Sequence, residues 1–207
     1  MNEIICLTED LLIGAGAHKK VYTDPSDGNR CIKIVFPAPD SRLDIDCELK
    51  YRNIRAKRGL VSNLLPAYYG TVQTNLGTGY VFERIADFDG NTSKTLQQLF
   101  SEAERDTKLI PFMEDVLSGL RRQLFQELII TSSVEPVNYM LQRTSATEYR
   151  VRIVDNIGGR NPVYLPLAFY LDVLARSRVK RYWRRFLDEV RRKFPKVLSE
   201  EVKWRLW

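Results

Sequence analysis

Cys31-Ile32-Lys33-Ile34-Val35-Phe36 is an apolar run interrupted by a single lysine. A short apolar run rich in β-branched residues reads as a strand covered on both faces. The lysine within it is then an ammonium carried into the interior. Upstream, Ile4-Ile5-Cys6-Leu7, Leu11-Leu12-Ile13 and Lys20-Val21-Tyr22 are β-like, with Gly14-Ala15-Gly16-Ala17 as a flexible turn. Asp24-Pro25-Ser26-Asp27-Gly28 is a strong turn signal. Strand, turn, strand, turn, strand predicts an antiparallel meander.

Pro37 and Pro39 end the lysine-bearing strand, and Ser41 is placed to cap a helix over 41–58, stopped by Gly59. Ile45, Leu49 and Tyr51 are its expected buried residues. Strands are predicted at 67–73 and 79–84, joined by a hairpin-like Asn75-Leu76-Gly77-Thr78-Gly79. A polar connector, 85–91, leads to a helix capped by Thr92 or Ser93. Pro111 suits the first turn of a longer helix, in which Phe112, Val116, Leu120, Leu124 and Leu128 recur every four positions. Strands follow at 138–142 and 151–154. Residues 165–175 are apolar enough to be buried. The stretch 178–194 places Val179, Tyr182, Trp183, Phe186, Val190 and Phe194 on one helical face and arginines on the other. The expected class is α+β: residues 1–85 a small antiparallel β-rich unit with one helix, residues 86–207 mainly helical.

Composition excludes several classes. With 207 residues, 44% hydrophobic and 28% charged, the chain can bury a core and is neither disordered nor fibrous. Three cysteines, Cys6, Cys31 and Cys47, make no disulfide framework, and one histidine with no Cys-x-x-Cys excludes a structural zinc site. The opening MNEIICLTED carries acids where a signal peptide carries bases, and no apolar run approaches the roughly 18 residues of a membrane span. A soluble cytoplasmic protein, not engaged with membrane, is expected. The net charge of +6 is local: residues 176–207 hold 12 Lys/Arg against 4 Asp/Glu, and the other 175 residues hold 20 against 22. That distribution argues against a general nucleic-acid binder. The basic stripe reads as a solvated helix face, with a docking face for an acidic partner as the minority reading.

Five features carry chemistry by their order. Gly14-x-Gly16 sits in a strand–turn–strand, Lys33 in the next strand and Glu48 in the helix after it. Glu135-Pro136-Val137-Asn138 forms a loop after the long helix, and Asp155-Asn156-Ile157-Gly158 follows an apolar strand. Small residues let backbone approach phosphates, an interior ammonium neutralises them, and a helix carboxylate holds that ammonium. An Asn and an Asp at facing strand ends are hard oxygen donors suited to Mg²⁺.

Taken together, Gly14-Ala15-Gly16-Ala17-His18-Lys19-Lys20-Val21-Tyr22, Cys31-Ile32-Lys33-Ile34-Val35, Glu48-Leu49-Lys50-Tyr51, Gly77-Thr78-Gly79-Tyr80-Val81, Ile85-Ala86-Asp87-Phe88-Asp89-Gly90 and Asp155-Asn156-Ile157-Gly158 resemble the PhoP regulatory network protein family, the YrbL-like proteins, across residues 10 to 170. The resemblance implies a protein-kinase-like bilobal fold with a reduced helical lobe. It also implies a link to a two-component system responding to low magnesium and acid. It makes Lys33 the phosphate-contacting lysine, Glu48 its partner, and Asn138 and Asp155 metal ligands. Phe82, Glu83 and Ile85 would belong to a hinge facing adenine, and Gly14 and Gly16 would cover the phosphates of ATP.

The catalytic loop departs from the kinase pattern. Ser133 stands where that pattern has an Asp base, and Glu135 where it has a lysine. No Ala-Pro-Glu follows Asp155, which argues against a platform for protein substrates. The expectation is an ATP-binding pseudokinase or weak phosphotransferase with a regulatory protein partner. One alternative is an active small-molecule or protein kinase with Glu135 standing in as base, with Ser133 beside it. A second is an adaptor using the basic C-terminal helix.

Overall fold

In a computed structural model that describes residues 4–159, 165–199 and 206, the meander forms as the turn signals require. Strands β1 (Leu12–Ala15), β2 (Lys19–Asp24) and β3 (Asp27–Val35) are followed by helix α1 (Pro39–Lys57), then β4 (Tyr68–Thr74) and β5 (Gly77–Glu83). The five strands make one antiparallel sheet in the order β1-β2-β3-β5-β4. The period-2 alternation of β3 decides what each face does. Ile32 and Ile34 pack with Leu7, Tyr22 and Val81, whereas Cys31 joins Ile45 and Phe82 on the side where Lys33 lies.

The rest of the chain is β6 (Lys94–Thr95), α2 (Leu96–Arg105), α3 (Ile110–Glu127), β7 (Tyr139–Arg143), β8 (Tyr149–Ile153), α4 (Leu165–Ala168) and α5 (Asp172–Lys193). Strands β6, β7 and β8 form a second antiparallel sheet. The larger core joins α2, α3, β7, β8 and α5 and takes in Tyr51 and Ile54 from α1. The whole is α+β. No described helix is long and apolar enough to cross a membrane.

Several expectations are corrected in detail. Ser41 does not cap α1: Ala38 holds the N-cap position with Pro39 opening the helix, and the buried Ser41 hydroxyl lies 3.1 Å from His18 Nδ1. Neither Thr92 nor Ser93 caps α2; Thr95 is the cap. Its Oγ1 accepts from Gln98 N–H at 3.2 Å while Gln98 Oε1 accepts from Thr95 N–H at 2.8 Å, a capping box. In α3 the four-residue repeat outruns the 3.6-residue turn by about 40° per step. The buried face is therefore Met113, Val116, Leu117, Leu120 and Leu124, while Phe112 lies at the surface against Tyr149 and Leu128 becomes a left-handed cap. The expected burial of 165–175 fails over much of its described part. The chain turns between α4 and α5, so Ala168, Phe169 and Ala175 pack inward while Leu167, Tyr170, Leu171, Val173 and Leu174 are exposed. In α5, Trp183 and Phe186 are core residues and the basic face looks outward, as expected. The connection after Asp155 lies in part, at 160–164, outside the described residues.

Asp87 anchors the connector. Its carboxylate accepts from the Ser93 hydroxyl at 2.6 Å, Arg143 N–H at 3.0 Å and Arg143 Nε at 2.8 Å. Burial alone would raise its pKa, but the bonds from Ser93 and Arg143 and the Arg143 charge outweigh burial and hold it below the usual carboxylate range. A depressed folded-state pKa contributes stability above the unfolded value, about 3.9, and that contribution is lost as pH falls through the folded value. Denaturation at pH 5 and pH 3 should therefore show a smaller acid loss for Asp87→Asn than for wild type. Equal acid losses would remove Asp87 from the acid limb.

Candidate functional site

A cleft of about 350 Å³ opens between the β1–β2 hairpin and the facing ends of β7 and β8. Its roof is Gly14 to Lys19, its back is Lys33 and Phe82, and its floor includes Asn138, Val154 and Asp155. Thus Gly14, Gly16, Lys33, Phe82, Glu83, Ile85, Asn138 and Asp155, separated widely in sequence, line one space. Glu48, Ser133 and Glu135 do not line it.

The roof is tighter than a flexible turn. Gly14 and Ala15 end β1 in register with Val21 and Lys20, and Gly16 N–H donates to Lys19 O at 2.9 Å. Added Cβ atoms at Gly14 and Gly16 would meet nothing closer than 3.9 Å, so what these glycines contribute is a bare surface over the cleft.

Lys33 is 5% exposed. Its Nζ donates to Val154 O at 2.8 Å and stands 4.0 Å from the centroid of the Phe82 ring. Burial pushes its pKa down; Glu48 and Asp155 oppose that and Lys19 reinforces it, leaving the value below that of an ordinary lysine. The expected Lys33–Glu48 ion pair is not formed. Glu48, buried on α1, is held by Arg52 one turn on, at 2.8 Å to Nε and 2.7 Å to Nη2. Arg52 in turn donates to Pro66 O at 2.7 Å. The i, i+4 neighbour takes the carboxylate because it is already beside it on the same helix face.

Around the proposed hinge, Phe82 is buried against Tyr68, with ring centroids 5.0 Å apart. Glu83 accepts from Ala67 N–H at 3.0 Å and pairs with the buried Arg152 of β8. Ile85 is buried, and its carbonyl accepts from Ser93 N–H at 3.1 Å.

On the floor, Val154 N–H donates to Asn138 O at 2.9 Å, which sets Asn138 beside the Asp155 strand end. The Asn138 amide donates Nδ2–H to Ser133 Oγ at 2.9 Å. Ser133 is buried: its carbonyl accepts from the Tyr139 hydroxyl at 3.1 Å, and its backbone N–H donates to Thr131 Oγ1 at 3.0 Å. Glu135 points elsewhere, its Oε2 2.5 Å from Lys193 Nζ on α5.

Asp155 accepts from Asn156 N–H at 2.7 Å and is ion-paired with Lys19. Burial would raise its pKa, but Lys19, Lys33 and the Asn156 N–H together hold it below the usual range. Lys19 is the residue that motif reading missed. Its position, three residues after Gly16 at the start of β2, carries no motif of its own. Its contact with a carboxylate 136 positions away is a product of the tertiary fold.

As it stands, the carboxylate of this donor set is not free for a divalent cation. At a phosphate site Mg²⁺ keeps several waters and takes one or two carboxylates beside the phosphate oxygens, so a free carboxylate is what it needs from the protein. The cleft floor offers one carboxylate and one amide from Asp155 and Asn138, and the carboxylate already holds an ammonium. Among the described residues no group of three or more His, Cys, Asp or Glu side chains could hold a metal ion.

An antiparallel sheet with one helix, a bare hairpin roof and a buried lysine facing an aspartate define an α+β protein with a cationic interior cleft. The chain belongs to a particular group of such proteins: the family described as PhoP regulatory network protein YrbL matches residues 5–191. The YrbL proteins of Escherichia coli (strain K12) and Shigella flexneri are each 38% identical to it over 187 residues, spanning 90% of this chain and 88% of theirs.

Proposed function

We propose that this chain is a nucleotide-binding regulatory protein with a kinase-like arrangement and weak or absent phosphoryl transfer, acting in the cytoplasm within the regulatory network named for its family. The observation that carries the reading is the buried Lys33 at the back of a cleft roofed by the Gly14–Gly16 hairpin. An interior ammonium is costly to keep unless it serves a ligand. The loop after α3 supports weak transfer. A general base must lie within hydrogen-bond reach of the proton it takes. Ser133 is buried in local bonds and Glu135 is held by Lys193, so neither carries that role into the cleft.

The test is thermal unfolding with ATP. A ligand that binds only the folded state at 100 times its Kd adds about 2.7 kcal/mol, which raises Tm by about 5–10 °C in a chain of this size. Lys33→Met should leave Tm without nucleotide equal or higher, because it relieves a buried charge, while weakening ATP at least about tenfold. Wild type showing no shift at millimolar ATP, folded and monodisperse, would end the nucleotide reading.

A further inference from the structure

We propose that Lys19 is the cleft's resident counter-ion, standing at Asp155 in place of a divalent cation, so that the cleft takes the polyphosphate of a nucleotide without divalent metal. The inference rests on the nucleotide-binding reading and goes beyond it.

Two observations carry it. Lys19 is placed by backbone as the first residue of β2, where its carbonyl accepts from Gly16 N–H at 2.9 Å and it registers with Val35 of β3. Its side chain and that of Asp155 are 16% and 25% exposed, so the ion pair is largely withdrawn from solvent. Independently, Arg52 neutralises Glu48, which leaves no carboxylate within ion-pair distance of Lys33 among the described residues. Lining the cleft, the Lys19 and Lys33 ammoniums stand with the Asp155 carboxylate while Glu83 is held by Arg152, which leaves a surplus of positive charge.

That balance favours a metal-free anion. An ammonium has three donors and no acceptor, so Lys19 can keep one N–H on Asp155 and offer others to phosphate oxygens. This is the bridge that a metal supplies in kinase-like sites. A divalent ion seated at Asp155 would instead lie beside Lys19 and Lys33, and like charges a few ångströms apart repel strongly at interior dielectric.

The experiment is calorimetric titration of ATP into wild type, Lys19→Met and Lys19→Arg, each in EDTA and in excess Mg²⁺, with Tm recorded to confirm folding. Wild type should bind with Kd in EDTA no weaker than in Mg²⁺. Lys19→Met should bind at least about tenfold more weakly in EDTA and recover part of that loss in Mg²⁺. Lys19→Arg, which keeps the charge, should retain metal-free binding. Wild type binding only with Mg²⁺ overturns this inference and leaves the nucleotide reading standing. Unchanged metal-free binding by Lys19→Met overturns the role of Lys19. Absence of binding in both buffers overturns the nucleotide reading and this inference with it.

Discussion

Replacing Gly158 by alanine should cost about 3 kcal/mol, lowering Tm by about 6–12 °C. Gly158 adopts φ +84°, a left-handed conformation that costs a Cβ-bearing residue about 1–2 kcal/mol. There is also no room. A Cβ there would lie 2.8 Å from Tyr51 Cβ and 3.1 Å from Cys47 O, both on α1. Tyr51 cannot step aside, since its hydroxyl accepts from Ile130 N–H at 2.9 Å and donates to Leu128 O at 3.3 Å. Gly158 itself donates its N–H to Ile130 O at 2.9 Å, so the strain falls on α1, the helix that carries Glu48 and Arg52. Gly77 is the control: φ +101° with nothing within 4 Å of an added Cβ, so Gly77→Ala should pay the conformational cost alone. Urea denaturation of both variants measures the difference. Equal losses would show that the close approach to α1 carries no energy.

Gly158 also illustrates what could be read in advance. The Asp155-Asn156-Ile157-Gly158 stretch stood out as a motif, but its glycine is required by a helix far earlier in the chain, a constraint that only the fold displays. The β3 strand was legible because hydrophobic runs and turn residues report local burial directly, and Lys33 stood out against that run. Side-chain partners were less legible. Glu48 had two cations to choose between, Arg52 on its own helix and Lys33 on the neighbouring strand, and order along the chain favoured the latter, whereas Arg52 holds it. The cap of α2 was misplaced at Thr92 or Ser93, because Thr95 carries the same cap chemistry and is the one with Gln98 three residues on. The apolar stretch at 165–175 misled for another reason. Hydrophobic content predicts burial only when a regular element puts those residues on one face, and here the chain turns within it.

Breaking the Arg152–Glu83 pair should be costly in an unequal way. Arg152 on β8 is 3% exposed and donates to Glu83 at the end of β5, with a further 3.4 Å bond to Leu65 O. Burial pulls the guanidinium pKa down and Glu83 counters it. Removing the carboxylate by Glu83→Met strands a buried cation and should cost about 3 kcal/mol. Removing the cation by Arg152→Met should cost less, about 1–2 kcal/mol, because Glu83 keeps Ala67 N–H at 3.0 Å and Arg150 at 3.9 Å and reaches solvent. The double variant should then cost about 2 kcal/mol less than the sum of the single losses, since it leaves no charge stranded. Additive losses would mean that the two residues act separately. The coupling bears on the cleft because Glu83 lines it, while β8 leads directly into Val154 and Asp155 on its floor. A pair that ties β5 to β8 therefore helps hold β5, which registers with Lys33 of β3, over the floor. Arg152→Met should accordingly weaken ATP binding even though Arg152 lines no part of the cleft, a loss to be read by calorimetry at a temperature where the variant is fully folded.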